Sequence, residues 1–169
     1  MKNKLVFVLV VLLAVSASGF AQGFEIGGSV FIATAGDVSV FGGGLNIAGT
    51  VYFTDIIGYG VYGNIMYGNY EGISIIPVAL LMGPAFMLVN NDKFALPVAV
   101  GLHLQRTFGF GSVEDTIVAV EAFDVGVGAN VTAEFRLNAR MRLYGRLQFT
   151  YGFLGGGEFT IIPSIGIGF

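Results

Sequence analysis

The chain has 169 residues, of which 54% are hydrophobic and only 11% charged, with a net charge of −3 and no cysteine. So apolar a composition is foreign to soluble domains, where about a quarter of residues are charged; the acidic balance leaves no electrostatic footprint for nucleic acid. The lack of cysteine excludes a small disulfide-stapled scaffold.

Lys2 and Lys4 precede an apolar run over residues 5–15 and then Ser-Ala-Ser-Gly-Phe-Ala-Gln, the three regions of a secretory signal peptide. Cleavage is expected after Ala21, with Ala17 second, so that 1–21 is a leader and 22–169 the mature domain. A retained anchor is the competing reading, but the run covers about half of the roughly 20 residues a membrane helix needs. Loss of Lys2 and Lys4 takes the net charge from −3 to −5. One domain is the natural count for this length.

From residue 24 onward the apolar residues recur with the period of two that marks a strand. In 24–33, Phe24, Ile26, Val30 and Ile32 alternate with Glu25, Gly27, Ser29 and Phe31, ending at the turn 35–37. The second predicted strand, 40–53, sets Phe41, Leu45, Ile47 and Val51 against Gly42, Asn46, Ala48 and Tyr52; the third, 58–67, sets Tyr59, Val61, Ile65 and Tyr67 against Tyr62, Asn64 and Met66. Segment 73–89 is apolar on both faces and holds Pro77 and Pro84, each of which removes a ladder donor, so its register stays open. A lone membrane helix there is opposed by the same prolines, each costing about 3 kcal/mol inside a helix. After the turn 90–93, the fifth strand sets Phe94, Leu96, Val98, Val100, Leu102 and Leu104 against Ala95, Ala99, His103 and Gln105. Residues 109–116, rich in Gly, Ser and acid, are expected to form a loop. The sixth strand carries Phe123, Val125, Val127, Val131 and Phe135 opposite Asp124, Asn130, Thr132 and Glu134; the seventh, Met141, Leu143, Leu147, Phe149 and Tyr151 opposite Arg142, Tyr144, Arg146 and Gln148. The last stretch, 158–169, alternates Phe159, Ile161, Pro163, Ile165, Ile167 and Phe169 with Glu158, Thr160, Ser164, Gly166 and Gly168.

Such a strand has one wholly apolar face, while the other is small or polar rather than charged. A soluble sandwich or lipocalin-like barrel would need a charged exterior, for which the charges are too few. In lipid every backbone group must be bonded internally, which leaves helices or a closed barrel. The pattern therefore predicts an all-β fold, an eight-stranded antiparallel up-and-down transmembrane β-barrel. No charge falls on the apolar face in the sixth, seventh and eighth predicted strands, as lipid exposure requires. Aromatic residues gather at predicted strand ends, Phe53, Tyr59, Phe94, Phe135 and Phe169 at one level and Phe41, Tyr67, Phe123, Tyr151 and Phe159 at the other, as two interfacial girdles do. Tryptophan is absent.

The closing amphipathic strand with its terminal Phe169, and the architecture of the mature chain as a whole, resemble the small eight-stranded bacterial outer-membrane β-barrels of the OmpX, OmpW and OmpA-transmembrane type. The resemblance implies location in the outer membrane, outer-membrane lipid and the barrel-assembly machinery as partners, and Phe169 as the insertion signal. Relatives of this kind serve as structural barrels, as adhesins or evasion factors, or as conduits for small hydrophobic molecules.

A barrel of this size holds only its own side chains or one small ligand. Its inward set includes Glu25, Asp124, Glu134, Arg142 and Arg146, charges that must pair when buried, so the arginines of the seventh strand are expected to bridge to the carboxylates of the sixth and first. The expected function is that of an outer-membrane barrel with a mostly plugged polar lumen and a structural or surface-interaction role. The alternative is a narrow conduit or binding barrel for a small hydrophobic molecule, with Phe31, Tyr62 and Met66 lining an apolar pocket. A soluble secreted ligand-binding barrel is the third reading. His103 is the sole histidine and no His-x-x-His or nucleophile–base spacing is legible, so no metal, cofactor or catalytic residue is assigned and an enzyme is not expected.

Overall fold

Alternating apolar and small residues favour extended chain, and a strand that is apolar on one side only is satisfied once its backbone finds partners on both edges. In the computed structural model, which describes residues 23–70, 72–113, 116–138, 140–154 and 157–169, the chain meets that demand with eight strands. They are β1 (Gly23–Ala35), β2 (Val38–Tyr52), β3 (Ile57–Tyr70), β4 (Ile73–Asn90), β5 (Phe94–Val113), β6 (Thr116–Arg136), β7 (Arg142–Gly152) and β8 (Phe159–Gly168). Each pairs antiparallel with its sequence neighbours, and β8 pairs with β1 to close the barrel. Phe24 and Phe169 exchange both backbone hydrogen bonds, at 3.1 and 2.7 Å, at the closing seam. The expected leader, 1–21, lies outside the described residues, as do Glu71, Glu114, Asp115 and the glycines at 155 and 156.

One end of the barrel, here the lower, carries three turns built on one device. Thr54 Oγ1 accepts from Ile57 N, Asn91 Oδ1 from Phe94 N and Asn138 Oδ1 from Met141 N, each at 2.9 Å, so that a side chain caps the reversal. At the upper end Gly36 and Gly72 turn the chain with φ of 58° and 85°, which side-chain-bearing residues seldom adopt.

The faces are inverted relative to a soluble protein. Ile26, Leu45, Ile65, Val100, Val127 and Ile165 are exposed, whereas Glu25, Asn46, Asn64, Asn130, Arg146 and Gln148 are buried. The aromatic residues assigned to the lower girdle include Phe94 and Phe135, whose ring centroids stand 5.2 Å apart; at the upper level Tyr151 meets Phe153 edge-on at 5.7 Å.

Prolines sit in paired strands without breaking the barrel. In a strand with two neighbours each N–H points to one side, so a proline costs one ladder only. Pro77 pairs with Thr107 in an unbroken β4–β5 stretch, while the β3–β4 register is interrupted beside it, between the pairs Ile65–Val78 and Gly68–Ile75. Pro163 likewise keeps its place opposite Leu147 on β7, and the β1–β8 register is interrupted there. The register of 73–89, open in the sequence, is fixed with a bulge between Met87 and Val89.

The expected loop at 109–116 is corrected by the structure. β5 continues to Val113 and β6 begins at Thr116, forming a hairpin that pairs from Phe110–Ala119 up to Val113–Thr116. The longer β6 also places Glu121 on the outward face, where the shorter predicted strand carried no charge.

Candidate functional site in the barrel lumen

The inward side chains of β7 organise the lower lumen. Alternation sends Tyr144, Arg146 and Gln148 into the barrel in succession, and each reaches another wall. Tyr144 Oη donates to Asn46 Oδ1 of β2 at 2.5 Å. Gln148 Oε1 accepts from Asn64 Nδ2 of β3 at 3.4 Å. Arg146 donates to Glu25 of β1 and, through Nε, to Thr132 Oγ1 of β6 at 3.0 Å. Its guanidinium also lies 4.6 Å from the ring centroid of Tyr62 on β3 and 5.0 Å from that of Tyr144. With eight strands in a ring, β3 stands opposite β7, so Tyr62 and Gln148–Asn64 span the full diameter.

Glycine makes room for these crossings. A Cβ on Gly166 would stand 2.7 Å from Tyr144 Oη and 2.6 Å from the Gly27 Cα, so β1 and β8 form a bare floor over which the tyrosine reaches Asn46. Phe31 uses the same device higher up, its ring lying over Gly68.

Of the five expected lumen residues, four meet. Arg142 Nε stands 3.1 Å from Glu134 Oε2 and its Nη2 3.9 Å from Glu25 Oε1, so Glu25, Glu134, Arg142 and Arg146 form one chain of two acids and two bases. Their side chains are largely withdrawn from solvent, with Arg146 only 2% exposed. In so low a dielectric the pairing offsets a desolvation penalty of several kcal/mol per ion. Asp124 is not part of it. It lies about 34 Å up β6 from Glu134, at about 3.4 Å per residue, and its Oδ1 accepts from Val125 N and Leu154 N, both at 2.8 Å.

The rest of the lumen holds two further groups. Phe31, Met66, Ala79 and Ile162 pack together as a buried apolar cluster, with Ala33 and Val40 against it. Tyr62 belongs to a second cluster with Ala48, Leu81, Ala85 and Ala99. Beside them Gln105 Nε2 donates to Glu158 Oε1 at 3.1 Å and to Thr107 Oγ1 at 3.2 Å, while Thr160 Oγ1 donates to the same Glu158 oxygen at 2.9 Å. His103 is buried with Asp124 and Glu158 among its charged neighbours.

Sequence reasoning did not find the pairing of Arg106 with Glu121, which lies on the outward face. Arg106 also lies 5.3 Å from the Phe108 ring centroid and is paired across the ladder with Phe123, at the level of the upper girdle. Both residues fall between the end of the fifth predicted strand and the start of the sixth. The legible signal was the continued alternation of Phe108 and Phe110 with glycine.

No protein-family model and no curated protein matches the chain. Solved structures do. The attachment invasion locus protein Ail of Yersinia pestis is 13% identical over 87% of this chain and 97% of its own, with a TM-score of 0.61. Neisserial surface protein A is 10% identical over 86% and 94%, with a TM-score of 0.62, and the outer membrane protein OprG of Pseudomonas aeruginosa 10% identical over 88% and 95%, with a TM-score of 0.59. Ail has also been crystallised with the heparin analogue sucrose octasulfate. The chain shares the eight-stranded fold of these bacterial outer-membrane barrels.

Proposed function

We propose that residues 22–169 form an integral outer-membrane barrel, delivered behind the leader 1–21, with a plugged lumen and a structural or surface-interaction role; it is not an enzyme. Outer-membrane lipid covers the exposed apolar band, and Phe169 on the closing strand is the signal read by the barrel-assembly machinery. The observation that carries the plugged reading is the set of crossings from β7: Tyr144 to β2, Arg146 to β1 and across to Tyr62, Gln148 to β3. A conduit needs an open path between walls that these side chains tie together. The residues that would line an apolar pocket, Phe31, Tyr62 and Met66, are each at most 3% exposed and packed in the two clusters, which supports a filled lumen over passage of a small hydrophobic molecule.

Two measurements test this reading. Outer-membrane fractions of cells expressing the chain should yield a band whose electrophoretic migration shifts on boiling, as a closed barrel gives. The purified protein in a planar bilayer should show no stepwise conductance. A product soluble in the periplasm would overturn the membrane reading; steady conductance would overturn the plug.

A further inference from the structure

The two halves of the lumen differ in charge. Below, Glu25 and Glu134 are matched by Arg142 and Arg146. Above, Asp124 of β6 and Glu158, which stands just ahead of β8, have no such match. Of the eight lysines and arginines in the sequence, Lys2 and Lys4 belong to the expected leader, and Lys93, Arg136 and Arg140 stand at the lower end. Arg106 pairs with Glu121 on the outward face, so no lysine or arginine is left for the upper lumen. Both carboxylates are held by neutral donors that use one oxygen each. Asp124 Oδ1 accepts from Val125 N and Leu154 N, and Glu158 Oε1 from Gln105 Nε2 and Thr160 Oγ1. Among the described residues Asp124 Oδ2 and Glu158 Oε2 have no hydrogen-bond partner. Bonds to neutral groups fix the oxygens but leave two negative charges, and a charge withdrawn from water calls for a counter-charge.

The ladder brings both acids to one histidine. Gln105, which reaches Glu158, stands directly opposite Asp124 in the β5–β6 ladder, and His103 is the next inward residue below it on β5. His103 is 2% exposed and its Nδ1 has no hydrogen-bond partner, although Asp124 and Glu158 are its charged neighbours. Next to it across the ladders come Gly126 and then Gly152, so this wall carries no side chain between His103 and the β7–β8 connection. A buried polar atom is ordinarily bonded. The orphaned nitrogen therefore gives the two acids a third point of attachment.

Spacing selects the class of cation. Among the described residues no three histidine, aspartate or glutamate side chains converge closely enough to hold a metal ion. A polyatomic cation spans more, because separate N–H groups reach separate acceptors, each at about 2.7–2.9 Å. We infer that the upper lumen binds a small organic ammonium cation, with Asp124 and Glu158 taking its charge and His103 Nδ1 accepting from one of its N–H groups. Glu158 is half-buried, so the site is filled from the upper end, while the crossings from β7 close the lumen beneath it. This binding function goes beyond the structural or surface-interaction role proposed above and leaves the plug in place.

His103 is the sole histidine, so its ring reports on the site without further assignment. The test follows the His103 ring nitrogens by NMR in the folded, untagged protein, made with isotope-labelled histidine and held in detergent at constant pH and ionic strength, while the diamine putrescine is added. The expected result is a saturable, submillimolar shift of Nδ1. Asp124→Asn and Glu158→Gln each keep the oxygen that the neutral donors use, and each should weaken binding about tenfold, as loss of a charged hydrogen-bond partner gives. Asp37→Asn, which removes an exposed upper acid outside the lumen, should leave binding unchanged. Neither the fully N-methylated analogue, with the same charge and no N–H, nor magnesium ion should shift the signal at these concentrations. No shift with putrescine would overturn the site, and an equal shift with the methylated analogue would overturn the N–H contact to His103. An equal response to magnesium would overturn the ammonium class, and equal weakening by Asp37→Asn would mean diffuse attraction and overturn the two named acids. Migration of the unboiled sample reports separately on whether each barrel is formed; should Asp124→Asn fail to fold, Glu158→Gln decides.

Discussion

Arg146 is held by a carboxylate, a hydroxyl and two aromatic rings, so its removal should cost far more than any surface substitution. Arg146→Met leaves Glu25 buried with only the longer contact to Arg142 at 3.9 Å. Breaking one partner of a buried pair costs about 3–5 kcal/mol, whereas replacing both by apolar residues is often neutral. Urea unfolding in lipid vesicles should therefore show Arg146→Met destabilised by about that amount, and Arg146→Met/Glu25→Leu recovering most of it, because Arg142 and Glu134 then remain as a balanced pair. If the double variant is as unstable as the single one, the ion pair is not what holds these walls. That two acids and two bases would meet was legible from their place on inward faces; that Asp124 would cap the β7–β8 connection was not. The alternation puts a residue on a face, but its height in the barrel depends on register, and β6 is long enough to carry Asp124 and Glu134 to opposite ends.

At the scale of elements, strand existence was readable throughout and strand length was not. The hairpin of β5 and β6 continues well above β7, whose ladder with β6 stops at Gly126–Gly152, while β4 accompanies β5 up to the pair Ser74–Phe110. Its upper part should be dispensable for assembly. Excising 111–118 and joining the cross-paired Phe110 and Ala119 through Asn-Gly, which suits a two-residue hairpin turn, should leave the heat-dependent gel shift intact and stability within about 1 kcal/mol. Loss of the gel shift would show that the hairpin supports the barrel. The prolines teach the same lesson. Pro77, expected to remove a ladder donor, and Pro163, expected within the closing strand, each interrupt one ladder while the other runs on.

Over the whole molecule, β8 must meet β1 for the barrel to close, and Phe169 stands at that junction, exposed and with its backbone paired to Phe24. The role as insertion signal separates the ring from the backbone. Phe169→Ser keeps both backbone hydrogen bonds, so the purified protein should refold in detergent with stability changed by no more than about 1 kcal/mol, while the amount reaching the outer membrane of cells falls several-fold. An unchanged cellular level would remove that role. By itself the sequence determined which face of seven of the eight strands turns outward, the number of strands and hence the closed ring, because period-two apolarity with so few charges has no other way to satisfy the backbone in a membrane. Only the tertiary structure decided which inward residues touch across the lumen and where the ladders stop. Those outcomes depend on register and on the relative lengths of neighbouring strands, and a pattern that repeats every two residues carries no information about either.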